Sequence, residues 1–209
     1  MKIAILGASA GVGLEATRRA LQQGHEVTTL SRRIDPLPDH PSVRKVQGSS
    51  TNPKDVKAAL EGADAILVTI GTGNSTKATT LYSDSAHTLL QVLRETGSFA
   101  PLIVLTGFGA GESWNYNSFP MKLLFNLLLK RVYADKTEME RLIAAGYKRW
   151  EMVRPGRLTE GAMTGRYRVL DDLVKDMRVG AIPRADVAHF MVAQAEHPTY
   201  LGKYPALTS

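Results

Sequence analysis

The sequence predicts a single α/β domain built on a doubly wound parallel sheet with helices on both faces. Three observations carry that prediction. Short apolar runs alternate with stretches of helical composition along the whole chain. A glycine-rich turn, Gly7, Gly11 and Gly13, joins the first apolar run to the first helical stretch. The length of 209 residues, 44% of them hydrophobic, suits one well-buried core, so residues 1–209 are read as one unit.

The elements follow in order. Residues 2–6 form the first expected strand, and 12–23 the first helix. Further strands are expected at 26–30, 43–47, 64–69, 101–105 and 149–153, with helices at 53–61, 79–96 and 119–145 between them. Asn52 is placed to cap the second helix, and Pro53 suits its first turn, where no amide hydrogen is needed. Pro183 and Asp186 open a short helix over 184–196, and 200–204 reads as a last extended piece. The segment 119–133 is apolar almost all round, with Met121, Leu123, Leu124, Phe125, Leu127, Leu128, Leu129 and Val132. It is too short to span a bilayer, and suits buried core, a dimer face or a peripheral membrane contact.

The glycine-rich turn carries chemistry as well as geometry. Gly7 permits a tight exit from the strand, Gly11 lets backbone N–H groups approach an anion, and Gly13 allows the helix to pack closely on the strand. The helix N-terminus behind the turn favours negative charge. With the Ser9 hydroxyl, which can donate to phosphate or ribose, the turn reads as a pyrophosphate site in a Rossmann-type dinucleotide fold. Its spacing departs from the G-x-G-x-x-G of many dehydrogenases.

The end of the second strand decides which dinucleotide. An NAD-binding unit carries Asp or Glu there for the ribose hydroxyls, whereas this chain reads Ser31-Arg32-Arg33. A carboxylate would repel a 2′-phosphate and a guanidinium binds it with paired hydrogen bonds. The expected cofactor is therefore NADP(H), held by Arg32, nearest the strand end, and by Arg33.

Composition narrows the remaining classes. The net charge of +6 is dispersed rather than striped, which suits an anionic cofactor and substrate and not nucleic acid. With no Cys, disulfides and thiolate metal sites are excluded, and five scattered His lack metal-ligand spacing. No apolar run reaches the ~18 to 20 residues of a membrane span, and the first residues already read as a strand rather than a signal peptide. A cytoplasmic location is the resulting expectation.

Open α/β sheets bind ligands at the carboxyl ends of their strands. Three Gly-rich segments should meet there: Ile70 to Asn74, Thr106 to Gly111 and Arg154 to Leu158. Phe108, Trp114, Tyr116 and Phe119 follow the fifth strand and are candidates to cover a flat substrate by stacking.

At this point a resemblance becomes specific. The Gly-rich opening, Leu30-Ser31-Arg32, Gly48, Ala63-Asp64-Ala65-Ile66, Ile70-Gly71-Thr72 with Asn74, Thr79-Thr80, Val153-Arg154-Pro155-Gly156, Met163-Thr164-Gly165-Arg166-Tyr167 and Ala188-His189-Phe190-Met191 occur in one order. Over nearly its whole length the chain resembles the atypical short-chain dehydrogenase/reductases of the flavin reductase and biliverdin reductase B type, an NAD(P)H-binding, NmrA-like family. The resemblance implies a monomeric Rossmann domain that passes a hydride from NADPH to a small flat acceptor, a flavin, tetrapyrrole or quinone. By position it puts Gly7, Ser9, Ala10, Gly11, Val12 and Gly13 on the pyrophosphate and Arg32 on the 2′-phosphate. Ser49 and Ser50 fall beside adenine, where the family usually has Asp-Val. Ile70 and Gly71 fall along the adenosine ribose, Thr106 near the nicotinamide, and Pro155, Gly156 and Arg157 at its border.

Two departures matter. Where these reductases carry a Ser after the Thr of the fifth-strand loop and a His after the Pro of the sixth, this chain has Gly107 and Gly156. The Tyr-x-x-x-Lys pair of the wider superfamily is also one residue short, as Tyr133-Ala134-Asp135-Lys136, which turns the phenol about 100° from its usual direction. Thr106 and Lys136 are left as the candidate catalytic residues. An oxidised flavin delocalises the incoming charge, so the missing groups favour flavin or quinone over a ketone. A non-catalytic NADP(H)-binding sensor or regulatory module is the alternative.

Overall fold

The computed structural model describes residues 1–73, 75, 77–116, 129–174 and 177–209. Along the chain run β1 (Lys2–Leu6), α1 (Gly11–Gln22), β2 (Glu26–Ser31), β3 (Val43–Gln47), α2 (Pro53–Leu60), β4 (Ala65–Val68) and α3 (Leu81–Thr96). There follow β5 (Leu102–Leu105), a 3-10 turn (Gly111–Tyr116), α4 (Lys130–Gly146), β6 (Trp150–Pro155), β7 (Arg157–Thr159) and β8 (Arg168–Leu170). The chain finishes with β9 (Ala181–Pro183), α5 (Arg184–Glu196) and β10 (Ala206–Thr208).

The main sheet has the order β3-β2-β1-β4-β5-β6-β10-β8. All its pairs are parallel except β10 with β8. The order reverses between β1 and β4, which opens a crevice at their carboxyl ends. That is where a doubly wound sheet binds its ligand.

Period-two alternation divides the core into two layers. Ala4 and Leu6 of β1, Ile66 and Val68 of β4, and Leu102 and Val104 of β5 pack with α2, α3 and α4 on one face. Ile3 and Ile5, Ala65 and Leu67, and Ile103 and Leu105 pack with α1 and α5 on the other. Both faces being covered explains why these strands read as continuous apolar runs.

Local signals fix the helix ends. Asn52 accepts a hydrogen bond from the Lys54 amide at 3.0 Å, with Pro53 beginning the helix as expected. Gly97 closes α3 in the left-handed region at φ 63°. One expectation needs correction. Residues 200–204 are not a strand; the terminal strand is Ala206–Thr208, paired with β6 and β8. Residues 117–128, which hold most of the apolar segment and the start of the expected helix 119–145, lie outside the described residues.

β6 carries a group that conflicts with its surroundings. Glu151 is fully buried, and loss of solvation pushes its carboxyl pKa up to about 8, the Tyr200 backbone opposing only in part. In the unfolded chain such a carboxyl ionises near ~4.3. Between these values the unfolded state holds fewer protons than the native one, so stability falls as pH rises from about 4.3 to about 8. Denaturant titrations at pH 5 and pH 8 should show this loss. Glu151→Gln should flatten it and make the variant the more stable protein at the higher pH.

Candidate functional site

A cleft of about 840 Å³ runs along the carboxyl edge of the sheet at the crevice between β1 and β4. That volume suits a dinucleotide-sized or drug-sized ligand. Its floor is the turn after β1. Gly7 adopts φ +92°, and a Cβ there would sit 2.7 Å from the Thr69 carbonyl oxygen. Gly13 lies beneath, where any side chain would overlap the Gly7 carbonyl. Gly11, at φ +53°, has nothing nearer to its open side than the Arg184 side chain at 3.6 Å.

These features fit a diphosphate. No side chain caps α1 and no acid lies in its first turn, so the amides and partial positive charge of that end are left for an anion. Ser9, Ala10, Gly11 and Val12 line the same stretch.

One end of the cleft is cationic and hydroxylated. Arg32, Arg33, Ser49 and Ser50 line it, and both arginines are solvent-exposed and make no ion pair with any described residue. Gly48 gives the serines their position, since a Cβ there would overlap the Asp55 carboxylate, which accepts from the Ser49 amide at 2.9 Å. Ser50 Oγ meets Ser85 Oγ of α3 at 2.8 Å. Ile70 and Gly71 continue the wall.

The other end is built on Thr106, Lys136, Leu105, Tyr82 and Leu158. Lys136 Nζ donates to the Thr106 carbonyl at 2.6 Å and lies 5.3 Å and 5.0 Å from the ring centres of Tyr82 and Tyr133. Burial pulls the pKa of this lysine down to about 8, with Glu140 partly opposing. The Thr106 hydroxyl donates to Glu140 Oε1 at 2.7 Å. Thr106 thus holds Lys136 through its carbonyl and is itself held by Glu140 through its hydroxyl.

Below that edge lies a buried ion pair the sequence did not reveal. Arg154 Nε donates to Glu140 Oε1 at 3.0 Å and Nη2 to Oε2 at 2.7 Å, in the paired geometry of a guanidinium and a carboxylate. The Arg154 guanidinium also stacks 4.1 Å from the ring centre of Tyr204. Asp135, next to Lys136, accepts from the Tyr82 amide at 2.9 Å and the Ser83 amide at 3.2 Å, and so caps α3 from a neighbouring helix.

The remaining expected residues fall elsewhere. Pro155, Gly156 and Arg157 are not among the described lining residues. Any side chain at Gly156 would overlap the Gly180 carbonyl, where β9 runs beside β7, which accounts for glycine in place of a histidine. A Cβ on Gly107 would lie 2.7 Å from Tyr133 Oη, so that phenol fills the space a serine would occupy. Tyr133 is absent from the described lining, and burial pushes its pKa up to about 12.

Phe108 is buried, with its amide bound to the Pro155 carbonyl at 2.8 Å, and Trp114 and Tyr116 are half-buried in the 3-10 turn. None of the three lines the cleft, and Phe119 lies outside the described residues. The start of that loop is pinned: Ser113 Oγ accepts from the Gly109 amide at 2.8 Å, and Thr137 Oγ1 from the Gly111 amide at 3.0 Å. Leu158, at the end of the expected segment Arg154 to Leu158, does line the cleft, and sequence reasoning missed Tyr82, Glu160 and Arg184, which line it as well.

No helix among the described residues is long and apolar enough to cross a membrane. Among the same residues, no group of three or more His, Asp or Glu is placed to hold a metal ion.

Comparison with known proteins agrees with this geometry. A family model described as NAD(P)H-binding matches residues 7–198. A 3-beta-hydroxysteroid dehydrogenase of Mycolicibacterium neoaurum is 38% identical over 68 residues, a match spanning 32% of this chain and only 19% of that protein. Among solved structures, ChuY, an anaerobillin reductase from Escherichia coli, superposes with a TM-score of 0.79 at 23% identity, covering 100% of this chain and 97% of that one. A short-chain dehydrogenase/reductase from Veillonella parvula, in complex with NADP, superposes with a TM-score of 0.83 at 16% identity, covering 100% and 94%.

Proposed function

The chain belongs to the NAD(P)H-binding family, and on that premise we propose that it is an NADPH-dependent reductase acting on a flat conjugated acceptor such as a flavin or a linear tetrapyrrole. The observation that carries the reading is the continuous cleft, with exposed arginines at one end and a buried lysine of lowered pKa at the other. When bound, the nicotinamide cofactor supplies the hydride.

The chain's own residues supply the rest. Arg32 and Arg33 hold the 2′-phosphate, the Gly7 to Gly13 turn holds the pyrophosphate, and Ser49, Ser50, Ile70 and Gly71 border the adenosine. Pro155, Gly156 and Arg157, where β6 ends and β7 begins, border the nicotinamide end. Tyr82, Leu105 and Leu158 offer apolar surface to a ring system and exclude water from it. Phe108, Trp114 and Tyr116, in the segment after β5, stand on the acceptor side. Lys136, held by the Thr106 carbonyl, retains N–H groups directed to the same end and can release a proton near neutral pH. The small acceptor is the partner, and the similarity of the anaerobillin reductase fold supports a tetrapyrrole among the candidates.

The cofactor assignment is tested at Arg32. Arg32→Ala should weaken NADPH by about 1 to 3 kcal/mol and leave NADH nearly unchanged, because only the 2′-phosphate contact is removed. Calorimetric titration of both nucleotides checks it, and an equal loss for both would contradict the assignment. The activity is tested by following NADPH absorbance with FMN, riboflavin, biliverdin and quinones. Turnover with one of these supports a reductase, whereas tight NADPH binding with no turnover on any of them would favour a non-catalytic sensor.

A further inference from the structure

The cleft lining contains the cations Arg32, Arg33, Lys136 and Arg184 and, among the described residues, a single carboxylate, Glu160. Three of the cations are accounted for by the adenosine end and by the Thr106 edge. Arg184 is not. It is the first residue of α5, and its side chain lies over the turn after β1, with Nε 3.6 Å and Cδ 3.7 Å from where a Cβ on Gly11 would stand. Its Nη1 donates to Glu160 Oε1 at 2.6 Å, across from the end of β7. The Arg184 side chain is 28% exposed, while that of Glu160 is 88% exposed.

This pairing is lopsided. A carboxylate so open to water is screened and contributes little to holding a guanidinium. A diphosphate lodged on the adjacent turn would present more negative charge, and acceptor oxygens spaced for the planar fork of an arginine. We propose that Arg184 is a diphosphate-binding residue and that Glu160 competes with the dinucleotide for it. On binding, the guanidinium exchanges the carboxylate for the diphosphate and fastens the α5 side of the cleft over Gly11. Glu160 then sets how tightly the nucleotide is held. This inference rests on the reading of the cleft as an NADPH site, and it adds a determinant that acts on NADPH and NADH alike, unlike Arg32.

Binding measured by calorimetry separates the possibilities. Arg184→Ala should weaken NADPH and NADH by a similar factor, about ten-fold or more for a lost charge-assisted contact. Glu160→Gln should tighten both several-fold, and should have no effect in the Arg184→Ala background. The probe 2′-AMP, which has the 2′-phosphate but no diphosphate, should bind all these variants as it binds the parent. NADPH affinity within two-fold of the parent in Arg184→Ala would overturn the proposal and leave the cofactor reading intact. Weaker NADPH binding in Glu160→Gln would also overturn it, because the pair would then be a structural strap rather than a competition. Failure of the parent protein to bind any dinucleotide would overturn the cofactor reading itself.

Discussion

Replacing Glu140 with alanine is expected to destabilise the protein by about 3 to 5 kcal/mol, the loss typical of stranding one partner of a buried ion pair. Arg154 is 1% exposed and Glu140 3% exposed, so the guanidinium left behind could not recover its hydration. Its nearest other carboxylate, Glu112, lies 3.6 Å away on the exposed side and replaces little of the lost charge. The same substitution frees the Thr106 hydroxyl, and so loosens the edge that holds Lys136. Urea denaturation should therefore show a large stability loss, accompanied by weaker nucleotide binding under native conditions. Replacing both partners by methionine should cost much less than either single change, because desolvation of the pair offsets much of its attraction. A single-variant loss below about 1 kcal/mol would mean that the pair is not desolvated in solution.

Lys136→Met should lower kcat about 100-fold or more with a tetrapyrrole acceptor, which must gain a proton as it is reduced. With an oxidised flavin the loss should be only several-fold, because the incoming charge is delocalised and water can complete the protonation. The parent enzyme's kcat for the tetrapyrrole should fall as pH rises through about 8, where the ammonium is lost. That inflection should vanish in the variant. A merely structural lysine would affect both acceptors equally and leave the pH profile in place. Steady-state kinetics from pH 6 to 10 with both acceptors distinguish the outcomes.

Much of the fold was legible because its signals are local. The strands β1, β4 and β5 are buried on both faces and read as apolar runs, and the turn from Gly7 to Gly13 announces itself by spacing. Asn52-Pro53 marks a helix start for reasons internal to four residues. The short strands β7, β8, β9 and β10 were not legible, since each holds three residues and gains stability only from partners far along the chain. The Tyr200 to Tyr204 segment has strand-like composition, yet it turns, with the Gly202 amide donating to the Trp150 carbonyl at 2.7 Å and φ +76° at that glycine.

The site divides in the same way. The residues on the first βα turn and at the end of β2 follow from sequence because in each case a single short segment supplies them. Glu140, Arg154, Glu160 and Arg184 come from separate elements, and as isolated charges they carry no pattern. Thr106 was located correctly at the cleft, but the direction of its hydroxyl depends on Glu140, thirty-four positions away. Lys136 stood out only through a motif it does not satisfy.

The central claim is that this cleft delivers a hydride from NADPH to a flat acceptor, and isotope transfer tests it most directly. NADPH deuterated at the nicotinamide C4 position should be consumed with a tetrapyrrole, and the reduced pigment should carry the deuterium on carbon, as mass spectrometry would show. Transfer should be much slower from deuterated NADH, which lacks the phosphate that Arg32 and Arg33 hold. Reduced pigment without the label, or no consumption of NADPH with any flavin, tetrapyrrole or quinone, would contradict the account.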